Sequence, residues 1–384
     1  MDKPLNIKIF ITAVSIALLV LRLNAQANIP PVLDAEGNQE YCPLSQIPVA
    51  TQFNITDPDD TAAESLHIQI SSGYVIGLDL LMLTGSHPGI SSDWSAVEGK
   101  LSLRSINGGD VPYTDLIAAA YDVVYMSTSP NMSGTREFSF TLGDANYLPA
   151  TDHFYQFIDD PGITWTNARS IADTYSYFGL QGYLVTITSA VEAQFVGEQA
   201  PGTGWIGGSD SETEGVWKWM TGPEAGLVFW NGSVDGSSPN FAFWNNGEPN
   251  DLNGEDYAHV TAPGIGVPGS WNDLANVLTN PSDPYYPKGF IVEYGGMPGD
   301  PDLDISATTQ ISTPEVIEIV DAERCGPGSV VLEAYPSYGD ILWFNTSSGG
   351  SPLGTGTTFN TPALTLTTTY YALASVNGCE EGLR

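Results

Sequence analysis

The chain has 384 residues, 42% of them hydrophobic, with 11 Lys and Arg against 45 Asp and Glu and a formal net charge of −34. An acid surplus spread along the whole chain excludes nucleic-acid binding, which is built on Lys and Arg neutralising phosphates, and an electrostatic grip on anionic membranes. Nine Trp, 18 Tyr and 14 Phe exclude a disordered polyanion. The length suits about two or three domains.

The N-terminus reads as a secretory signal over residues 1–27. Lys3 and Lys8 precede an uncharged apolar run, Ile9 to Leu21, and Ala25-Gln26-Ala27 offers a small-x-small cleavage site. The run is short for a membrane span, which needs about 20 residues. No comparable run follows, so the mature chain is expected to be exported, without a transmembrane segment.

Residues 28–150 alternate apolar and polar positions between Gly, Asp, Asn and Pro turns. His67-Ile68-Gln69-Ile70, Lys100-Leu101-Ser102-Leu103 and Arg136-Glu137-Phe138-Ser139-Phe140 are examples. The pattern predicts a β-sandwich. Asp57-Pro58-Asp59-Asp60 loosely resembles a cadherin-like acidic turn, and is read as a solvated turn.

Residues 151–296 change character. Trp165, Ala168, Ala172 and Tyr175 share one helix face, with Gly179 as a stop. Leu184 to Ile187 reads as a strand. Ser189 with Glu192 forms a capping box, opening a second helix with Phe195 and Val196 inward. A long loop-rich half with short strands follows, so this unit is α+β. Residues 297–313 read as a polar linker. Residues 314–384 are again strands and turns.

Cys42, Cys325 and Cys379 show no zinc spacing. Pairing of Cys325 with Cys379 inside the last unit is expected, leaving Cys42 as a buried thiol.

The loop-rich half carries three oxygen-rich clusters: Asp210 with Glu214; Glu248-Pro249-Asn250-Asp251 with Glu255-Asp256; and Trp271-Asn272-Asp273. Carboxylates and amide carbonyls in this mixture suit Ca²⁺, which takes six to eight oxygens at about 2.3–2.6 Å. Without His or Cys among them, they serve zinc, copper or iron poorly.

On these residues the segment from His153 to Tyr294 resembles a C-type lectin domain. Trp205-Ile206-Gly207-Gly208, Glu214-Gly215-Val216-Trp217-Lys218-Trp219, Glu248-Pro249-Asn250, Trp271-Asn272-Asp273 and Phe290-Ile291-Val292-Glu293 match the family's motifs in order. The resemblance implies a principal calcium held by Glu248, Asn250, Glu255, Asn272 and Asp273, with Pro249 in a cis peptide. It implies that Glu248, Pro249, Asn250, Glu255, Asn272 and Asp273 form the sugar site. The acids accept from sugar hydroxyls and the Asn amides donate to them. Glu then Asn is the family's mannose, glucose and fucose order. An auxiliary calcium at Asp210, Glu214, Asp251 and Asp256 is also implied. The family's disulfide cysteines are replaced by Ala172, Tyr257, Asn276 and Val292. The Glu248–Glu255 spacing looks short by one residue and the Leu274–Lys288 loop looks long.

The last segment resembles bacterial immunoglobulin-like modules, through Cys325-Gly326, Trp343, the Thr-rich turn before Tyr370-Tyr371, and Gly378-Cys379. One more strand is expected after Cys379, so the module is read as truncated. The expected fold is multidomain: a C-type lectin-like α+β domain between an N-terminal β-sandwich and a partial immunoglobulin-like β-sandwich. The expected function is calcium-dependent glycan binding by a secreted or cell-surface, adhesin-like protein, and not catalysis.

Two other classes compete. One is a calcium-stabilised protein- or surface-binding module. The other is a glycan-active enzyme, against which there is no Gly-x-Ser-x-Gly elbow and no metal spacing among His67, His87, His153 and His259. Gly202 to Gly207 and Gly264 to Gly269 each fit Gly-x-Gly-x-x-Gly, but neither follows a strand and opens a helix.

Overall fold

The computed structural model describes residues 28–202, 204–261 and 264–384. The leader expected over residues 1–27 lies outside them. Among the described residues, no helix is long and apolar enough to cross a membrane.

The first unit is mostly β. Its largest sheet has six strands, in spatial order Gln39–Glu40, Ser306–Ser312, Thr135–Leu142, Ser65–Ser72, Lys100–Ser105 and Ile90–Ser95. Leu66, Ile68, Ile70, Leu101, Leu103, Phe138 and Phe140 from the central strands fill one core. A helix, Tyr113–Tyr121, also packs there, which the strand-and-turn reading did not anticipate. Leu116, Ala119 and Ala120 form its buried stripe, and Asp115 sits in its first turn, where the helix dipole favours an acid.

The stretch 297–313 is more than a linker. Its strand Ser306–Ser312 pairs antiparallel with Thr135–Leu142 and parallel with Gln39–Glu40. Ala307 and Ile311 enter the first core, whereas Ile305 is buried in the core of the middle unit. The sequence Ser-Ala-Thr-Thr-Gln-Ile-Ser has too few large apolar residues to announce a strand. Pairing on both sides, a tertiary event, recruits it. The middle unit is therefore inserted between two strands of the first. Gln199 Nε2 adds bonds across the seam to the Ile70 and Glu98 carbonyls at 3.1 and 2.6 Å.

In the middle unit the first helix spans Trp165–Ala172, and Thr164 Oγ1 accepts the Asn167 N–H at its start. It ends before Tyr175, and Gly179 instead takes a turn with φ +94°. Ser189 Oγ accepts the Glu192 N–H at 3.2 Å, as a capping box requires. Glu192 reaches back one residue further, to the Thr188 N–H at 2.6 Å. The helix Ala190–Ala193 continues as a π-turn, Gln194–Glu198. There Gly197 lies so close to Gly269 that a Cβ would meet the Gly269 carbonyl oxygen at 2.7 Å. A mixed sheet follows, in which Gly204–Ser209 pairs with Val216–Trp219, Tyr257–Val260 and Gly289–Tyr294.

The last unit has two three-stranded sheets, with Trp343 buried between them and its Nε1 donating to the Gly356 carbonyl at 2.8 Å. The expected Cys325–Cys379 bridge is not formed. Cys379 is bonded to Cys42 across 337 residues, and Cys325 is free and exposed. Register explains this. Cys325 lies beyond Val320, which pairs with Glu333, whereas Cys379 follows Ser375, which pairs with Asp340 at the other end of the sandwich.

Candidate functional site

The Trp271–Leu274 strand carries the site on an aromatic foundation. Trp271 is fully buried and its ring meets Trp219, Phe229, Phe241 and Trp244. Trp219 and Phe229 stack beneath it with centroids 4.4 Å apart. The four aromatics before the Glu248 loop, Trp230, Phe241, Phe243 and Trp244, are half-buried against this core. With Trp271 fixed, Asn272 and Asp273 are fixed in turn, and the backbone of Trp271 bonds Phe243 and Asn245 at 2.7 Å each.

Asp273 is fully buried and organises the facing loop. Its Oδ1 accepts the Asn250 N–H at 3.1 Å and its Oδ2 the Asp251 N–H at 2.8 Å. The Glu248–Pro249 peptide is cis. Asn250 Nδ2 donates to Glu248 Oε2. The turn beyond closes through the Leu252 N–H to Glu255 Oε2 at 3.2 Å and the Glu255 N–H to Asp251 Oδ1 at 3.0 Å. Asp251 and Asn253 sit there at φ +50° and +66°, a region that short polar side chains tolerate best after glycine.

The second group adjoins the first. Asp210 is 2% exposed. Its Oδ2 accepts the Gly215 N–H at 2.9 Å, while its Oδ1 is buried with no partner among the described residues. The Asp210 N–H reaches the Asp256 carbonyl at 3.3 Å. Glu214 is exposed and feels Asp251, Asp256 and Asp273.

Burial and mutual charge dominate the electrostatics. Burial, then the charge of Asp273, pushes Glu248 up to about 7. Burial and Asp273 do the same to Glu255. Asp210 is pushed up to about 7 by burial, with Glu214 and Asp256 adding to it. Desolvated carboxyls resist ionisation until a positive charge arrives. An unpartnered buried carboxylate oxygen and an all-oxygen donor set fit a hard divalent cation such as Ca²⁺. The acids do not crowd, however. Among the described residues, the only three acidic side chains with ligand atoms mutually within 4.8 Å are Asp57, Asp59 and Asp60. There Asp57 already accepts from Asp59 N, Asp60 N and Tyr113 Oη.

Of the nine sequence-predicted ligands, eight lie in one connected patch through these bonds and charges. Asn272 differs: its amide turns inward to His259. His259 had no motif to mark it. Also unmarked was a buried cluster behind the sheet, where His153 Nδ1 meets Glu293 Oε1 at 2.5 Å and Tyr155 donates to Glu192 at 2.8 Å.

Comparison with known proteins bears on the fold of this patch. Residues 312–384 match the family described as Ig-like domain CHU_C associated. Halomucin of Haloquadratum walsbyi is 33% identical over 298 residues, 74% of this chain and 3% of that protein. C-type lectin domain family 17, member A, of Homo sapiens is 31% identical over 132 residues, 34% of this chain and 28% of its own length. CD209 antigen of Symphalangus syndactylus is 38% identical over 96 residues, 23% of this chain and 20% of its own length. Over part of its length the chain is similar to C-type lectin domain proteins. It spans less than a third of each of these relatives. Among solved structures, the mouse scavenger receptor C-type lectin carbohydrate-recognition domain aligns at 26% identity over 38% of this chain and 93% of that domain, with a TM-score of 0.26.

The middle unit, which resembles a C-type lectin domain, holds its first helix without cysteines. Ala172 and Val292 are both fully buried in one core. Tyr257 packs on Trp165 with centroids 4.8 Å apart. Asn276 accepts the Thr166 N–H at 3.1 Å and donates to Thr166 Oγ1 at 3.2 Å. Packing and capping occupy all four positions where the resemblance expected cysteine.

Proposed function

We propose that this chain is an exported glycan-binding protein whose C-type lectin-like domain binds mannose-type sugars with calcium. The observation that carries the reading is the loop from Glu248 to Glu255, tied to the buried carboxylate of Asp273 by the Asn250 and Asp251 N–H groups. Glu248, Asn250, Glu255, Asn272 and Asp273 would hold the principal ion, with Asp210, Glu214, Asp251 and Asp256 around a second. The ion would supply open coordination positions for adjacent sugar hydroxyls. Glu248 and Glu255 would accept hydrogen bonds from those hydroxyls, and Asn250 would donate its remaining amide hydrogen. Such sites are shallow, so tight adhesion would come from several copies acting together. Lectin-domain relatives and an immunoglobulin-like module support binding at a cell surface in preference to catalysis.

The test is a glycan array with calcium and with chelator, for wild type and for Glu248→Gln with Asn250→Asp. Mannose-type binding that needs calcium and is lost in the double variant is expected. Mannose binding unchanged in that variant, or unchanged by chelator, would reject the site.

A further inference from the structure

We infer that His259 is a positioning residue, which fixes the amide of Asn272 so that only its Oδ1 is presented to a ligand. The ligand rests on the function proposed above; the coupling of the two side chains does not. His259 and Asn272 are direct cross-strand partners on Tyr257–Val260 and Trp271–Leu274. The imidazole is fully buried, edge-on to Trp205 and Tyr285. Its two nitrogens face groups of fixed role: at Nδ1 a carbonyl oxygen, which only accepts, and at Nε2 an amide nitrogen, which only donates.

Which nitrogen carries the ring hydrogen follows from the partners. His259 Nδ1 is 3.0 Å from the Val260 carbonyl oxygen. A carbonyl only accepts, so Nδ1 holds the hydrogen and Nε2 is a bare lone pair. Nε2 lies 3.2 Å from Asn272 Nδ2, and that same Nδ2 is 2.8 Å from the Asp273 carbonyl oxygen. The two amide hydrogens of Asn272 thus go to two acceptors. Flipping the amide would set Oδ1 against a nitrogen lone pair and a carbonyl oxygen at once. In the observed orientation, Oδ1 takes no hydrogen bond among the described residues. Asn272 can therefore offer an oxygen to a cation or a hydroxyl, but it has no hydrogen left to donate. Donation to a sugar falls to Asn250 alone.

The experiment uses the full chain. Long-range proton–nitrogen spectra with ¹⁵N-histidine should give an Nδ1-protonated ring for His259. Calcium affinity by calorimetry should fall about tenfold in His259→Phe, at the lower end of the loss seen when a ligand's supporting partner is removed. His259→Gln, which can return an acceptor near the Nε2 position, should recover most of it. A pure packing role gives the opposite ranking, because Phe keeps the buried ring and Gln does not. An Nε2-protonated ring, or Phe binding as well as Gln, overturns the inference. Wild type that binds no calcium would instead overturn the functional reading, and the tautomer would still decide the coupling.

Discussion

Asp273 Oδ2 accepts the backbone N–H of Asp251 at 2.8 Å, across 22 residues of chain. With the Asn250 N–H on its other oxygen, one buried carboxylate ties the Glu248 loop to the Trp271 strand. Hydrogen bonds to charged groups contribute about 1.5–3 kcal/mol each. Asp273→Ala should therefore lower the melting temperature of the lectin-like domain even in chelator, where lost metal binding plays no part. Equal melting of variant and wild type in chelator would contradict this.

Stability without calcium should fall as pH rises. Glu248, Glu255 and Asp210 titrate near 7 when folded, chiefly through burial, against about 4 when unfolded. Between these values the folded chain keeps protons that the unfolded chain has released. Their contribution is complete below the unfolded value and lost as pH climbs through the folded one. In chelator, calorimetry should find a higher melting temperature at about pH 5.5 than at about pH 7.5, and Glu248→Gln with Glu255→Gln should flatten the slope. A lower melting temperature at the acid end would count against the assigned burial.

Calcium should raise the melting temperature at neutral pH. Free ion at 100 times its dissociation constant stabilises a one-site protein by about 2.7 kcal/mol. Identical melting with calcium and with chelator is the adverse result.

Reduction should loosen the tie between the first and last units. Breaking Cys42–Cys379 should cost about 2–4 kcal/mol, the usual range for a bridge. Cys42→Ser should lower the denaturation midpoint, whereas Cys325→Ser should be silent. One reactive thiol in the oxidised protein is expected; three would refute the pairing.

The lectin-like half was legible because its candidate ligands sit in short contiguous motifs. Glu248-Pro249-Asn250 and Trp271-Asn272-Asp273 each bring neighbours into play through local geometry. The helices at Trp165 and Ser189 were legible from spacing and capping. The helix at Tyr113 was not, because one short Ala-rich run among strands is a weak periodic signal. His259 was invisible for another reason: its partner, Asn272, is 13 residues away and meets it only across a strand pair.

Sequence alone determined the acidic surface, the order of the units and the candidate ligands, since each rests on composition or on residues adjacent in the chain. Tertiary structure decided the insertion of the middle unit through the strand Ser306–Ser312, the Cys42–Cys379 bridge and the orientation of Asn272. Each of these depends on which distant backbone or side chain lies opposite. Pairing energy between remote segments leaves no mark on either segment by itself.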